Sequence, residues 1–236
     1  MSSEDMELER LRDVYDDYSS SPDVAARWSM DNPGNRAIIT ERDNRILALL
    51  RRGGLVPLTS ARILDVGCGE GRTLGTLRSW GAEARNLAGI DLLPTSIDGA
   101  RLMQPDVEFL CGNAADLPFA DGSFDLVVVS TVFSSILEPG LAKAISDSIT
   151  RVLRPGGSVL LYDFRYRNPS NKHVHGVGRA EIAALFPGFV ANLELVTLLP
   201  PLARRLGPLT PALYPVLAAI PRLRTHHVGL LEKPRS

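Results

Sequence analysis

Two carboxylates and a glycine-rich turn lie close together in the first half of the chain. Asp65 lies in the apolar run 61–66, two residues before three glycines spaced G-x-G-x-G at positions 67, 69 and 71; a second apolar run ends in Asp91. Glycines let backbone amides at a helix start approach a ligand, and an acid at the end of the second strand can accept from both ribose hydroxyls of a nucleoside. A pyrophosphate would be repelled by Asp65 and Glu70, whereas an ammonium group would be attracted. The spacing therefore favours a nucleoside cofactor with a positive charge.

Four motifs, in order, carry a resemblance. They are DVGCGEG from residue 65, GID from residue 89, GNAADLPFADGSFDLVVVS from residue 112 and VLRPGG from residue 152. This set resembles the class I S-adenosylmethionine-dependent methyltransferase family, which implies S-adenosylmethionine as the cofactor. The resemblance implies that Asp65, Gly67 and Gly69 line its methionine part, Asp91 holds the ribose, Leu92 packs on the adenine, Ala114 offers an amide to it, and Ser130 belongs to the same site. Asn113 departs from the family, which usually has Asp there, but an Asn carbonyl can accept the same hydrogen bond.

Two other classes compete with this interpretation. An NAD-dependent oxidoreductase is disfavoured because the loop is acidic and lacks the G-x-G-x-x-G spacing. A non-catalytic cofactor-binding protein on the same scaffold stays open, because a fold does not fix a function.

Apolar runs and turn residues predict the elements that must position these groups. Helices are predicted at 5–20 and 35–52, and strands at 61–67, 86–91, 107–112, 124–130, 157–164, 190–199 and 225–232. Alternating strands and helices predict an α/β, doubly wound, mainly parallel sheet. The resemblance implies seven strands, the last one antiparallel. We expect a single domain over 1–236, with a helical N-terminal lid (1–56), a cofactor-binding core (57–164) and a substrate-side half (165–236) that carries a helical cap at 200–224.

The N-terminal segment and the stretch after the fifth strand hold the remaining candidates. Tyr15 and Tyr18 lie on one helical face and, with Trp28 and Arg36, are predicted to cover the cofactor and contact the substrate. Packing onto the sheet explains them equally well.

Three side chains are general-base candidates. Asp163 falls near the end of a predicted strand, and His173 and His175 follow in YDFRYRNPSNKHVHG. An attacking hydroxyl can lose its proton to a base, and imidazole titrates near neutral pH. The same three residues are also weak candidates for a divalent metal such as Mg²⁺. In-line positioning alone, or a structural role for each histidine, accounts for the same residues.

Charge is distributed unevenly along the chain. Residues 1–150 carry a net charge of −9 and residues 151–236 carry +8, although the chain as a whole carries −1. The basic half lacks the aromatic-basic interleaving of nucleic-acid binders, so we expect an anionic small molecule or an anionic membrane surface and no nucleic acid. Basic residues spread over solvated faces explain the same charge equally well. The Pro-rich stretch PLARRLGPLTPALYPVLAAIPRLR predicts a compact helical cap. The default interpretation is a helical layer packed on the sheet; the cap could also wall the substrate pocket, form a homodimer contact or rest peripherally on a membrane.

The sequence thus predicts a cytoplasmic enzyme, since it has no signal-peptide pattern and no apolar run of spanning length. The predicted activity is methyl transfer to a hydroxyl of a small molecule, such as a sugar, a glycosylated or other secondary metabolite, or a lipid-linked glycan of bacterial glycan biosynthesis. The alternative is methyl transfer to nitrogen or carbon of a secondary metabolite.

Overall fold

The computed structural model describes residues 2–167 and 171–235 and has a seven-stranded sheet at its centre. The strand order is β3-β2-β1-β4-β5-β7-β6. All seven predicted strands are present, as β1 (Ile63–Val66), β2 (Leu87–Asp91), β3 (Glu108–Cys111), β4 (Phe124–Ser130), β5 (Leu153–Phe164), β6 (Val190–Leu198) and β7 (Arg224–Glu232).

The last strand runs against its neighbours, as the resemblance implies. β7 lies between β5 and β6 and pairs antiparallel with both, while β1 to β5 are parallel. β6 therefore points in the same direction as β5. The carboxyl ends of β1, β2, β4, β5 and β6 consequently meet at one edge of the sheet, where open α/β sheets bind ligands.

Helices cover both faces of the sheet. They are α1 (Ser3–Ser20), α2 (Pro22–Arg27), α3 (Pro33–Arg52), α4 (Arg72–Ser79), α5 (Pro94–Met103), α6 (Pro139–Val152), α7 (Arg179–Leu185), α8 (Pro200–Arg205) and α9 (Thr210–Ala218). One face packs on α1, α6 and α7, and the other on α3, α4 and α5. Because β1 is buried on both faces, its side chains alternate between these two cores, and Asp65 falls on the side of α3 and α4.

Two local caps fix where the predicted N-terminal helices begin. Ser2 and Asp5 form a reciprocal capping box before α1. Asn32 accepts from the amides of Gly34 and Asn35, and Pro33 occupies the first helical position of α3. Both helices therefore start two residues earlier than the apolar periodicity predicts.

The Pro-rich stretch between β6 and β7 forms a cap of two short helices, α8 and α9. The Leu199 amide donates to the Leu223 carbonyl at 2.8 Å, so the cap leaves the sheet and returns to it at one point. Pro215 lies inside α9 rather than separating two helices. At the contact with α3, a Cβ on Gly34 would stand 2.2 Å from the Ala203 carbonyl oxygen, so glycine is required for this close approach.

Within residues 2–167 and 171–235, no helix is both long enough and apolar enough to cross a bilayer.

Candidate active site

The glycine turn after β1 and the end of β2 are joined by Asp91. Gly67 and Gly69 have positive φ angles of 70° and 52°, which side chains disfavour. One Asp91 carboxylate oxygen accepts from the Gly69 amide at 2.8 Å and the other from the Leu93 amide at 3.0 Å. Burial raises the pKa of Asp91, against the effect of these amides. Asp91 thus shapes the loop besides facing the space above it.

Asp65 lies beneath this loop with a side chain that is 1% exposed. Neither of its carboxylate oxygens has a hydrogen-bond partner among the described residues. Burial, followed by the nearby charge of Asp91, raises the pKa of Asp65 to about 8, and Arg42 opposes this only in part. A buried acid without a partner is costly to ionise, so this position fits a cationic group of a ligand that would supply the missing partner.

A cavity of about 210 Å³ opens over the carboxyl ends of β1, β2 and β4. Among the described residues that line it, Asp91 is the only charged one. Its neutral polar lining consists of hydroxyls and one amide, and its walls are otherwise apolar. The lining residues from the loops are Gly67, Gly69, Asp91, Leu92, Leu93, Ser96, Gly112, Asn113, Ala114, Ser130, Thr131 and Val132, and those from the helical side include Leu8, Leu11, Tyr15, Ser135, Ile136, Leu141 and Ile145.

Seven of the eight predicted cofactor residues line this cavity, and the eighth, Asp65, is buried next to Val66, which lines it. Asn113 is partly engaged already: its side-chain carbonyl accepts from the Ala115 amide at 3.0 Å, and its amide group donates to Glu4 at 3.3 Å. The carbonyl oxygen has a second lone pair, which leaves room for the bond from an adenine amino group.

Helix α1 closes one side of the cavity. The Tyr15 hydroxyl lies 2.5 Å from the Ser135 hydroxyl, and Arg10 donates to the Ser135 carbonyl at 2.6 Å. Glu7 accepts from the Leu137 amide at 2.5 Å. Burial raises the pKa of Tyr15, so its phenol is neutral. Tyr18 packs edge-on against Tyr15 but lines a separate outer groove.

The structure does not bring Trp28 and Arg36 to this cavity. The Arg204 guanidinium stacks 4.4 Å from the Trp28 ring centre, and Arg36 donates to the carbonyls of Met30 and Asp31. Asn35, which sequence reasoning missed, is fully buried and bonds the Arg27 and Ser29 carbonyls and the Arg204 side chain. This segment therefore ties the turn before α3 to the cap.

None of the three general-base candidates lines the cavity in the described part of the chain. His175 has Nδ1 at 3.1 Å from the Ser134 carbonyl and Nε2 at 2.9 Å from Glu181. Both ring nitrogens of His175 are therefore engaged in contacts within the protein and face neither the cavity nor an acceptor in it. His173 lines the outer groove, beside Arg10 and Tyr18. Residues 168–170 of the same predicted segment lie outside the described residues.

Asp163 lies behind the loop that follows β4. It is fully buried and accepts from the amides of Ser134 and Phe164 at 3.2 and 2.8 Å. Burial raises its pKa to about 6, although the hydrogen bonds from Ser134 and Phe164 oppose the shift. Across the described ranges, 2–167 and 171–235, no group of three or more His, Cys, Asp or Glu side chains is placed to hold a metal.

Sequence reasoning also missed the residues after Ser130. Thr131 has a positive φ of 56°, and its amide donates to the Tyr162 carbonyl at 2.7 Å. This turn carries Thr131, Val132, Ser135 and Ile136 into the cavity wall. A positive φ at a threonine has no sequence signal, because the surrounding contacts impose it. The fold and the cavity together define an α/β domain with the features of a nucleoside-binding site at the edge of its sheet.

Comparison with known proteins identifies the family. A methyltransferase domain family matches residues 64–161. An uncharacterized methyltransferase of Synechocystis is 32% identical over 155 residues, which cover 61% of this chain and 68% of that protein. The phthiotriol/phenolphthiotriol dimycocerosates methyltransferase of Mycobacterium leprae is 32% identical over 157 residues, which cover 66% of this chain but only 53% of that protein.

A crystal structure of a SAM-dependent methyltransferase from Methanosarcina mazei has the same fold. It aligns with a TM-score of 0.54 at 22% identity and covers 74% of this chain and 92% of that one. The chain belongs to the class I S-adenosylmethionine-dependent methyltransferases.

Proposed function

We propose that this protein transfers the methyl group of S-adenosylmethionine to a hydroxyl of a small molecule at the β4 end of the cavity. The observation that carries the proposal is the set of neutral hydroxyls there: Ser130, Thr131, Ser135 and Tyr15. Val66 pairs with Val129, so the turn after β4 lies directly beside Gly67. Hydroxyl groups that donate and accept suit a neutral polar acceptor better than a charged one.

The residues present fit the cofactor. Asp91 would hold the ribose, the turn at Gly67 and Gly69 would take the methionine part, and Asp65 would compensate its ammonium group. No atom lies within 4 Å of a Cβ placed on Gly69, so the space that a side chain would fill stays open for a ligand. When bound, the cofactor supplies a sulfonium-activated methyl group.

The chain's own contribution is positioning and exclusion of water. Helix α1 covers the cavity through Leu8, Leu11 and Tyr15, and the Tyr15–Ser135 pair fixes two hydroxyls. Because none of His173, His175 and Asp163 lines the cavity in the described ranges, we favour in-line positioning of the acceptor over a dedicated base, with its proton passing to water. The acceptor that we propose is a lipid-linked or glycosylated molecule; the M. leprae relative is named for phthiotriol and phenolphthiotriol dimycocerosates.

A labelled-methyl transfer screen tests the proposal. Purified protein is incubated with S-adenosylmethionine carrying a ¹³C methyl group and with pairs of acceptors that differ only in hydroxyl versus amine. We expect a methyl resonance of an O-methyl ether from the hydroxyl member, with and without Mg²⁺, and a much weaker one with Asp91→Ala at the same cofactor concentration. Labelling of only the amines, or of carbon, would overturn the hydroxyl assignment but leave the cofactor site intact.

A further inference from the structure

The cap between β6 and β7 exposes an apolar face without a polar side chain. Every exposed residue from Pro208 to Pro221 is apolar, including Leu209, Leu213, Val216 and Ile220 at 60%, 38%, 64% and 44% exposure. These four positions are spaced by four, three and four residues, so they form one stripe along α9 and its ends.

The polar residues of the same segment face inward. Tyr214 is buried and donates to Glu41 at 2.8 Å, and buried Thr210 donates to the Gly207 carbonyl at 2.7 Å. A helix on a water-exposed surface has the opposite arrangement, with its polar residues outward. We call this outward apolar stripe the cap face (residues 208–221). Its composition is that of an interaction surface for an apolar partner.

Charge indicates which neighbour this is. The sequence has no acid between Glu194 and Glu232 but has four arginines there. Arg205 and Arg222 are exposed at the two ends of the cap face. A second copy of the chain on this face would bring like charges together, whereas an anionic lipid surface would attract them. Trp28, 45% exposed under the Arg204 guanidinium, adds an amphipathic ring at the border of the cap.

The position of the cap relates this face to the cavity. β6 points in the same direction as β5, so its carboxyl end and the cap lie at the sheet edge where the cavity opens. A lipid surface that binds the cap face would therefore lie close to the edge of the sheet where the cavity opens.

We propose that the cap face docks on the surface of an anionic phospholipid bilayer, with α9 lying in the interfacial plane. This inference does not depend on the atom that is methylated or on the acceptor. Leu213 and Val216 would enter the interface, and Arg205 and Arg222 would meet lipid phosphates.

Vesicle flotation tests the proposal with the full chain. We expect the protein to float with vesicles of phosphatidylcholine and phosphatidylglycerol at 7:3, to float at least tenfold less with phosphatidylcholine alone, and to detach as salt is raised. The double variant Leu213→Glu/Val216→Glu should lose at least tenfold in vesicle binding, and Arg205→Glu/Arg222→Glu should lose the preference for the anionic lipid.

The matched control is Leu102→Glu/Met103→Glu. These two apolar residues are 85% and 58% exposed on α5, so the control adds the same charges outside the cap. Circular dichroism of each variant serves as the test that it is folded. Equal vesicle binding by the control and cap-face variants would overturn the proposal. So would a wild-type dimer that ignores vesicles and becomes monomeric in Leu213→Glu/Val216→Glu, because a second copy would then cover the face.

Discussion

The Asp91 carboxylate has two roles, one in the structure of the glycine loop and one at the cavity. Its carboxylate fixes the loop through the amides of Gly69 and Leu93, and it also faces the cavity. An acceptor oxygen with two lone pairs can serve an amide and a ribose hydroxyl together. Loss of this side chain should therefore affect both the order of the loop and the affinity for cofactor.

We expect Asp91→Ala to weaken S-adenosylmethionine binding by about 2 to 4 kcal/mol, because hydrogen bonds to a charged acceptor contribute about 1.5 to 3 kcal/mol each and do not add fully. Isothermal titration calorimetry measures the change. Asp98→Ala is the control, since Asp98 is exposed on α5 and contacts only Arg101 among the ion pairs of the described residues. An unchanged Kd in a folded Asp91→Ala protein would contradict the ribose assignment.

Asp65 should make the stability of the cofactor-free protein fall with rising pH. Its pKa is about 8 in the folded protein and near 3.8 in the unfolded chain, so between these values the folded protein keeps a proton that the unfolded chain has lost. The associated stability is complete below about pH 4 and is lost as the pH rises toward 8, at up to about 1.4 kcal/mol per pH unit.

Asp65→Asn should remove this dependence. We expect the variant to gain stability over wild type between pH 5.5 and pH 8, measured by urea unfolding, and to bind cofactor more weakly. Burial lowers the pKa values of His226 and His227 to about 3 and about 4, so these two residues make the free energy of unfolding rise with pH. Their contribution is the same in wild type and in Asp65→Asn, and it cancels in the difference between the two unfolding free energies. A constant difference from pH 5.5 to pH 8 would show that Asp65 is ionised throughout.

Substitution of His173 and His175 should distinguish a structural role from a catalytic one. His175→Ala removes the contacts with Ser134 and Glu181 and should lower stability by about 1 to 3 kcal/mol, while kcat of the folded variant falls less than tenfold. His173→Ala should leave both nearly unchanged. A fall in kcat of about 10² to 10⁴ for either variant, with intact cofactor affinity, would restore that histidine as the general base.

Among the contacts between helices, the one between α3 and α8 depends on Gly34, because this residue has no side chain. Gly34→Ala would place a Cβ against the Ala203 backbone, and we expect a loss of about 1 to 3 kcal/mol as α8 shifts. The melting temperature should fall by about 2 to 10 °C. Gly75→Ala in α4 is the control: its Cβ would meet Gln104 at an ordinary 3.6 Å, so it should be neutral or stabilising. Equal melting temperatures for Gly34→Ala and Gly75→Ala would show that the close contact at Gly34 does not stabilise the position of α8.

The elements also show what a sequence can predict. The seven strands and the family resemblance rest on strong local signals, namely apolar runs and four ordered motifs, and both predictions are confirmed. The roles of Trp28 and Arg36 were not predictable, because they depend on Arg204 and on backbone carbonyls whose positions only the folded chain defines. Ser135 and Thr131 were missed for the same reason: the turn that brings them to the cavity has an unusual backbone angle and no distinctive residue.

For the whole molecule, a single domain over residues 1–236 stays a prediction that unfolding can test. Trp28 lies beside the cap, and Trp80 packs against the core under α3 and α4. If the cap and core unfold together, single-tryptophan variants that keep only Trp28 or only Trp80 should give the same urea midpoint as far-UV circular dichroism. Two separate midpoints would show that the cap and the sheet are independent cooperative units.

The hydrogen bond between Leu199 and Leu223 bears on how freely the cap can vary in length and sequence. Because β6 and β7 pair directly up to Leu198 and Arg224, everything between them is an enlarged hairpin connection, and its length does not affect the register of the sheet. Exchange of such a connection leaves the cofactor half of the protein untouched. Residues 200–222 thus form one continuous insertion, and a graft there must keep the small residue opposite Gly34, an arginine for Asn35 and Trp28, and a hydroxyl for Glu41.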